Sequence, residues 1–296
     1  MRPQPETLKD YQRRLNKVIS HLWHHLDEEH DLATLAGIAC FSLFHFHRIF
    51  RALVGEPVGA YVNRLRLERA AQELVSGGRS VTDIGLDAGF QSPAAFSRAF
   101  TRRFGSSPTD FRKQGKANRA ELVHPPRIVL TTNEEDEMEG VRIVELEAMT
   151  IAYAHSPQGY RQEGINVAWQ KLMPFYWKHR PTKVAEACLG LSWDDPKVVE
   201  VDRCRYEAAM AVDEGTKPEG EVGVRRLTGG TFAVYRHVGP YSGLSETYDR
   251  LIKNWLAGSG YQMRDEPCLE FYRSDPENTP PEELVTDIHL PVEKVS

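Results

Sequence analysis

LFHFHRIFRALVG at 43–55 and PAAFSRAFTRRFG at 93–105 are two versions of one pattern, and they decide how the first part of the chain folds. Phe46 aligns with Phe96, Arg48 with Arg98, Phe50 with Phe100 and Gly55 with Gly105. Upstream of each copy, LAGIACF at 35–41 aligns with IGLDAGF at 84–90. Each copy reads as a short helix, a tight turn and a second helix, which is helix-turn-helix anatomy repeated within one chain. Asp31 and Ser80 are placed to cap the short helices, and Pro93 sits where a helix opens. A longer helix over 58–76, stopped by Gly77 and Gly78, joins the copies. A further helix over 8–27 precedes them, with Leu8, Tyr11, Leu15, Val18, Ile19, Leu22 and Leu26 at helical spacing.

The second helix of each copy is two-sided. In 43–54, Phe46, Ile49, Phe50 and Leu53 share an apolar face, while Phe44, His47, Arg48 and Arg51 point elsewhere. In 93–104 the inward set is Phe96, Ala99, Phe100 and Phe104. Ala94, Ala95, Ser97, Arg98 and Arg102 form the other face. A helix that enters the major groove needs this division, because one face holds the scaffold and the other meets the bases. Arginine supplies bidentate donors to guanine or pins a phosphate, and small apolar side chains approach thymine methyls. An isolated arginine of this kind is more often a solvated surface charge, but duplication within a basic segment argues for double-stranded DNA.

The charge distribution agrees. Residues 1–119 carry 18 Lys/Arg against 12 Asp/Glu, a net +6, whereas the remainder carries 19 against 30, a net -11. The 296 residues suit two domains. The four cysteines form no CxxC pair and no zinc-type cluster, so no metal or other cofactor is expected. The polar start and the lack of an apolar run long enough to span a bilayer point to a cytoplasmic protein with no membrane partner. We place one domain over 1–116, a linker over 117–137 containing HPPR and an acidic run, and a second domain over 138–296. In that second domain, strands are expected within VRIVELEAMTIAYAHS and over 204–212, 231–239, 268–273 and 284–290. Helices are expected over 163–178 and 243–257. This order predicts an α+β domain of two βαββ-like halves.

The stretch from about 19 to 116, above all RLRLERAAQELVSGGRSVTDIGLDAGFQSPAAFSRAFTRRFGSSPTDFRK, resembles the DNA-binding domain of the AraC/XylS family. The resemblance implies reading positions at Phe44, His47 and Arg48 in the first copy and at Ala94, Ala95 and Arg98 in the second. The chain departs from the family pattern at Cys40, where the tight turn usually has glycine, and at Leu43, where proline often opens the helix.

The strings GLSWDDPKVVEVDRCRYEAAMAV, GGTFAVYRHVGPYSGLSETYDRLIKNWLAGSGY and CLEFYRSDPENTPPEELVTDIHLPVE resemble the GyrI-like (gyrase-inhibitor-like) small-molecule-binding domain. That resemblance implies a central glutamate, here Glu270, in an aromatic pocket for a hydrophobic or cationic effector. Aromatic faces attract a delocalised cation, and a partly buried carboxylate compensates its charge. Tyr153, Trp193, Tyr206 and Tyr235 are the other lining candidates, with Phe271 or Tyr272; strand alternation favours Tyr272, on the same face as Glu270. Trp169, Trp177, Tyr248 and Trp255 are expected to serve helix packing. The expected protein is thus multidomain, an all-α double helix-turn-helix followed by an α+β GyrI-like domain. It is expected to act as an effector-controlled regulator without enzymatic activity, in which occupancy changes domain orientation, DNA affinity or contact with RNA polymerase. A hydrolytic domain, using Glu270 or Glu207, and a domain that binds a protein partner stand as alternatives.

Overall fold

A computed structural model of the chain describes residues 6–76, 78–114, 128–130, 138–182 and 187–295. The linker expected over 117–137 lies, apart from 128–130, outside the described residues. The chain divides into two compact units. One comprises Asp10–Leu43 and Val54–Leu130; the other comprises Met1–Lys9, Phe44–Leu53 and Thr131–Ser296.

The first unit is helical. It contains most of α1 (Glu6–His24), then α2 (Leu32–Ala39), α4 (Val58–Ser76), α5 (Val81–Asp87), α6 (Pro93–Phe104) and α7 (Pro108–Gln114). The expected caps are in place: Asp31 accepts from the Thr34 N–H at 3.0 Å and Ser80 from Asp83 at 3.0 Å; Ser92 also caps α6, accepting from Ala95 at 3.2 Å. At the end of α6 the Gly105 N–H donates to the Thr101 carbonyl at 2.8 Å. The turn between α5 and α6 needs a glycine at 89, where φ is 78° and an added Cβ would stand 2.9 Å from Arg66 Cζ. Arg66 itself is fixed by donating to the carbonyls of Leu26 and Glu28. The corresponding residue after α2 is Cys40, which adopts the same left-handed region at φ 53°. This is the physical sense of the departure from glycine there: the first turn keeps its geometry with a side chain that disfavours it.

The core beside the second helix-turn-helix joins Leu67, Ala70, Ala71 and Leu74 of α4 to Ile84 of α5 and to Phe96 and Phe100 of α6. Phe100 also meets Phe104 and Phe111 at ring separations of 4.5 and 5.2 Å. Phe96 is fully buried against Gly85, where even one added methyl would approach its ring to 2.8 Å. Replacing Phe96 by alanine is therefore expected to cost about 3–5 kcal/mol in chemical denaturation. A loss below about 1 kcal/mol, the range of surface changes, would contradict this packing.

The second unit holds α3 (Leu43–Val54, all but its end residues) together with an antiparallel sheet and two helices, α8 (Gln162–Lys178) and α9 (Leu244–Arg250). The strands are β1 (Arg142–Leu146), β2 (Met149–His155), β3 (Cys188–Ser192), β4 (Tyr206–Ala211), β5 (Gly223–Leu227), β6 (Gly230–Val238), β7 (Tyr261–Met263), β8 (Cys268–Tyr272) and β9 (Val285–Lys294). Their order is β1-β6-β9-β8-β3-β4-β2-β5, with β7 paired to the far end of β9. The two expected βαββ halves are visible as β2-α8-β3-β4 and β6-α9-β8-β9, joined where β3 pairs with β8. In that junction Gly190 faces Glu270, and the flanking pairs Leu189↔Phe271 and Leu191↔Leu269 are placed symmetrically about them. Strands β3, β5 and β7 were not anticipated. The expected helix 243–257 is instead α9 followed by a π-helical turn, Leu251–Trp255, and a 3-10 turn, Leu256–Gly258.

Both sheet faces are covered with apolar side chains. Ala152, Ala154, Tyr206, Ala208 and Met210 pack beneath Ala168, Leu172 and Tyr176 of α8. Ile151, Leu189, Leu191, Phe232, Val234, Leu269 and Phe271 form a core on the other face. Among the described residues, no helix is long and apolar enough to cross a membrane.

Candidate functional site

A cleft lies above the β3–β8 junction, bordered by α8 on one side and by α9 with the turn before it on the other. Its volume is about 1760 Å³. Its floor carries Ser192, Tyr206, Glu270 and Tyr272. Trp169 and Met173 of α8 form one wall, Tyr241, Leu244 and Tyr248 the other, and Tyr160 and Arg48 also border it. Strand alternation sends Glu270 and Tyr272 into the cleft and Phe271 into the opposite core.

The polar groups form a chain. Trp169 Nε1 donates to Tyr206 Oη at 3.2 Å, and the Tyr206 and Tyr272 hydroxyls lie 3.0 Å apart. Tyr272 donates to Glu270 Oε2 at 3.0 Å, and Tyr248 donates to Glu270 Oε1 at 3.1 Å. Ser192 Oγ is 3.5 Å from the Tyr248 hydroxyl. Glu270 is only 6% exposed, and burial pushes its carboxyl above the ordinary range against the pull of these neutral donors. Among the described residues, no Lys or Arg forms an ion pair with it. The carboxylate is oriented but its charge is not neutralised by direct contact. Burial also raises the Tyr248 and Tyr272 hydroxyls, so both remain protonated donors at neutral pH.

Gly190 makes room for this network. A Cβ there would lie 2.8 Å from Tyr206 Cε2 and closer still to the Tyr272 hydroxyl. Gly190→Ala is expected to displace Tyr206 and Tyr272, break the Tyr272–Glu270 hydrogen bond and destabilise the domain by about 1–3 kcal/mol in thermal unfolding. An unchanged midpoint would contradict the tight approach.

Of the lining candidates, Tyr206, Glu270 and Tyr272 meet in the cleft; Tyr153, Trp193 and Tyr235 do not line it. Tyr153 lies on the other sheet face beneath Arg225, whose Cζ is 4.2 Å from the ring centre. Trp193 follows β3 and packs near Arg205. Tyr235 is half-buried on β6, paired with Ile288. Both faces of β2 are apolar, so its sequence did not reveal which face Tyr153 takes. Conversely, Trp169, Trp177 and Tyr248, expected to serve packing, border the cleft, and Tyr160, Tyr241 and Ser192 were not foreseen. The spacing of Tyr241, within GPYSG, and Leu244 and Tyr248, just after it, was a usable signal. Trp255 packs on Tyr261, as a structural residue does. Glu207, the other candidate carboxylate, pairs with Arg225 and His155 away from the cleft.

The DNA-facing candidates divide by helix. On α6, Ala94, Arg98 and Arg102 are exposed along one stripe, with Ala95 and Ser97 half-buried beside it. Thr101 extends the same stripe and was not anticipated. Arg103 instead pairs with Glu68 at 3.1 Å. On α3 the expected exposure is absent: Arg48 and Arg51 are only 4% and 8% exposed, and His47 is half-buried. Arg51 Nε donates to Asp195 at 2.7 Å and its Nη1 to Asp249 at 2.6 Å. Arg48 donates to the Asp194 carbonyl at 2.8 Å and to Cys268 Sγ at 3.2 Å. A cationic side chain on the polar face of an amphipathic helix looks the same in sequence whether it meets phosphate or protein acids. The side chain of Phe44 lies outside the described residues. His45 is buried, and that burial, reinforced by the charge of Arg48, lowers its pKa to about 4.

Comparisons with known proteins agree with this architecture. Residues 140–293 match the family model of the GyrI-like small molecule binding domain, and residues 35–114 match a helix-turn-helix domain model. The chain is similar to the "Probable transcriptional regulator YgiV" of Escherichia coli O157:H7, at 30% identity over 51% of this chain and 95% of that one. With the K12 copy the identity is 36%, over 35% of this chain and 65% of that one. The "Transcriptional regulator Rob" of Salmonella typhimurium is 25% identical over 75% of this chain and 77% of its own. A crystal structure of an AraC-type transcriptional regulator from Chromobacterium violaceum shares 29% identity over 38% of this chain and 96% of that one, with a TM-score of 0.34. The chain thus belongs to the GyrI-like small-molecule-binding family, carried here behind an AraC-type helix-turn-helix domain, in the architecture of a DNA-binding transcription regulator.

Proposed function

We propose that this protein is a sequence-specific regulator whose action on duplex DNA is set by a small hydrophobic cation bound in the cleft around Glu270. The observation that carries the reading is a buried carboxylate held by neutral hydroxyls within aromatic walls. Such a charge is costly to bury alone, and a cation with an apolar body relieves that cost while its rim stacks on tyrosine and tryptophan. On the DNA side, Ala94, Arg98 and Arg102 offer one exposed stripe for reading bases and phosphates. His47, Arg48 and Arg51, with Phe44, are the corresponding group on α3, where Arg48 and Arg51 are buried and reach DNA only once that helix is released. Occupancy of the cleft then alters DNA affinity or contact with RNA polymerase, a coupling between two distinct sites.

Genomic fragments retained by the full-length protein at fixed salt provide the test, with and without tetraphenylphosphonium as a hydrophobic cation. A several-fold change in retention supports effector control. Unchanged retention while the cation demonstrably binds overturns the coupling.

A further inference from the structure

The cleft already holds a cation of the chain's own. The Arg48 guanidinium lies with its Cζ 4.4 Å from the centre of the Tyr248 ring, the same tyrosine whose hydroxyl donates to Glu270. It borders the cleft and also contacts the Asp194 carbonyl and the Cys268 thiol, and among the described residues it forms no salt bridge with a carboxylate. Arg48 is therefore placed by the aromatic face and by the nearby charge of Glu270, the interactions proposed above to receive an effector. Beside it, Arg51 clamps α3 through Asp195 and Asp249, outside the cleft floor. Held in this way, α3 keeps Arg48 and Arg51 buried and unavailable to a phosphate or a base.

We propose that Arg48 is a tethered stand-in for the effector, that the cleft is selective for planar guanidinium or amidinium cations, and that such a ligand displaces Arg48 and releases α3. This rests on the reading of the cleft as a cation site and deepens it by naming the ligand class and the competitor. The ligand class follows from the geometry: a flat delocalised cation lies over a tyrosine face while its N–H edge reaches a carbonyl, which a compact ammonium fills poorly. Because the Tyr248 face receives an outside cation only in the fraction of molecules where Arg48 has left it, the tether lowers the apparent affinity in proportion.

The test is calorimetric titration of the full-length protein with benzamidine, a planar amidinium, and with neutral benzamide. Hydrogen exchange of the α3 amides is followed in parallel. Arg48→Ala is expected to bind benzamidine about tenfold more tightly than the unaltered protein, with benzamide changed less than twofold. Asp249→Asn, which loosens the Arg51 clamp without touching the cleft lining, is expected to shift benzamidine in the same direction by a smaller factor, and it guards against a fold defect in the first variant. Saturating benzamidine should also speed exchange in α3. Equal or weaker benzamidine binding by both variants overturns the tether, as does equal tightening for benzamide, which would mean that only space was gained. If neither benzamidine nor tetraphenylphosphonium binds any of the three chains, the reading of the cleft as a cation site fails as well. If tetraphenylphosphonium binds and Glu270→Gln removes it while Arg48→Ala changes nothing, that reading stands and the tether alone falls.

Discussion

Arg98→Ala should lose sequence-specific DNA binding by roughly 5- to 150-fold at a matched site, the worth of one good base contact at about 1–3 kcal/mol, with little change in thermal stability. Arg98 is exposed on α6, one turn from Ala94 and from Arg102, whereas the core of that helix is carried by Phe96 and Phe100 on the other side. Its removal therefore takes away a contact without opening a cavity. The assay is competition binding at fixed salt against unrelated duplex, because phosphate contacts alone give salt-dependent affinity without specificity. A variant whose preference for its site over random DNA is unchanged would remove Arg98 from the reading set. A uniform loss on both DNAs would reassign it to the phosphate backbone.

Glu270→Gln should weaken a hydrophobic cation by about 1.5–3 kcal/mol, the range for hydrogen bonds to charged groups, while a neutral analogue of the same shape changes little. Glutamine keeps the size of the side chain and loses the charge. The burial that raises the Glu270 carboxyl gives two further signs. Cation affinity should fall as pH drops through a point above the ordinary carboxylate range, because the group protonates there. In the empty domain the direction reverses. A carboxyl whose pKa is raised on folding contributes most when protonated, and that contribution is lost as pH rises through the raised value. The glutamine variant should accordingly melt at a higher temperature than the unaltered protein at neutral pH. Equal losses for the cation and the neutral analogue would show that the carboxylate supplies shape and not charge. A cation affinity independent of pH between 4 and 8, a window on either side of ordinary carboxylate behaviour, would lead to the same conclusion.

The helical part was legible because its signals are local. The repeat placed both helix-turn-helix units, and single residues punctuate the second one: Ser80 and Pro93 where expected, with Gly89, Ser92 and Gly105 beside them. Cys40 shows the limit of reading by residue type, since the left-handed turn persists there without glycine. In the sheet, period-two alternation correctly paired Glu270 with Tyr272, because the intervening Phe271 had to go to the opposite core. The same rule failed to place Tyr153, since Ile151, Ala152 and Ala154 are buried on both sides of β2 and no polar face marks the parity. Strand β3 escaped detection as CLGLS, five residues with a central glycine, yet it supplies half of the junction under the cleft. Cleft residues from α8 and α9 were hidden for a different reason. A helix aromatic that packs and one that lines a cavity have the same spacing, and only the separation of the two helices tells them apart. Arg48 and Arg51 illustrate this most clearly, because their partners Asp194, Asp195, Asp249 and Cys268 are more than a hundred residues distant in the chain.

The paired helix-turn-helix units are proposed to read a DNA sequence. The most direct measurement is selection of genomic fragments by the purified full-length protein at physiological salt, followed by sequencing of the retained DNA. Two reading helices give an enriched motif in two parts, separated by about one helical turn, near 10 base pairs, with the part read by α3 strengthened when a cation is bound. Retention that is salt-sensitive but yields no motif, with and without a bound cation, would contradict that reading.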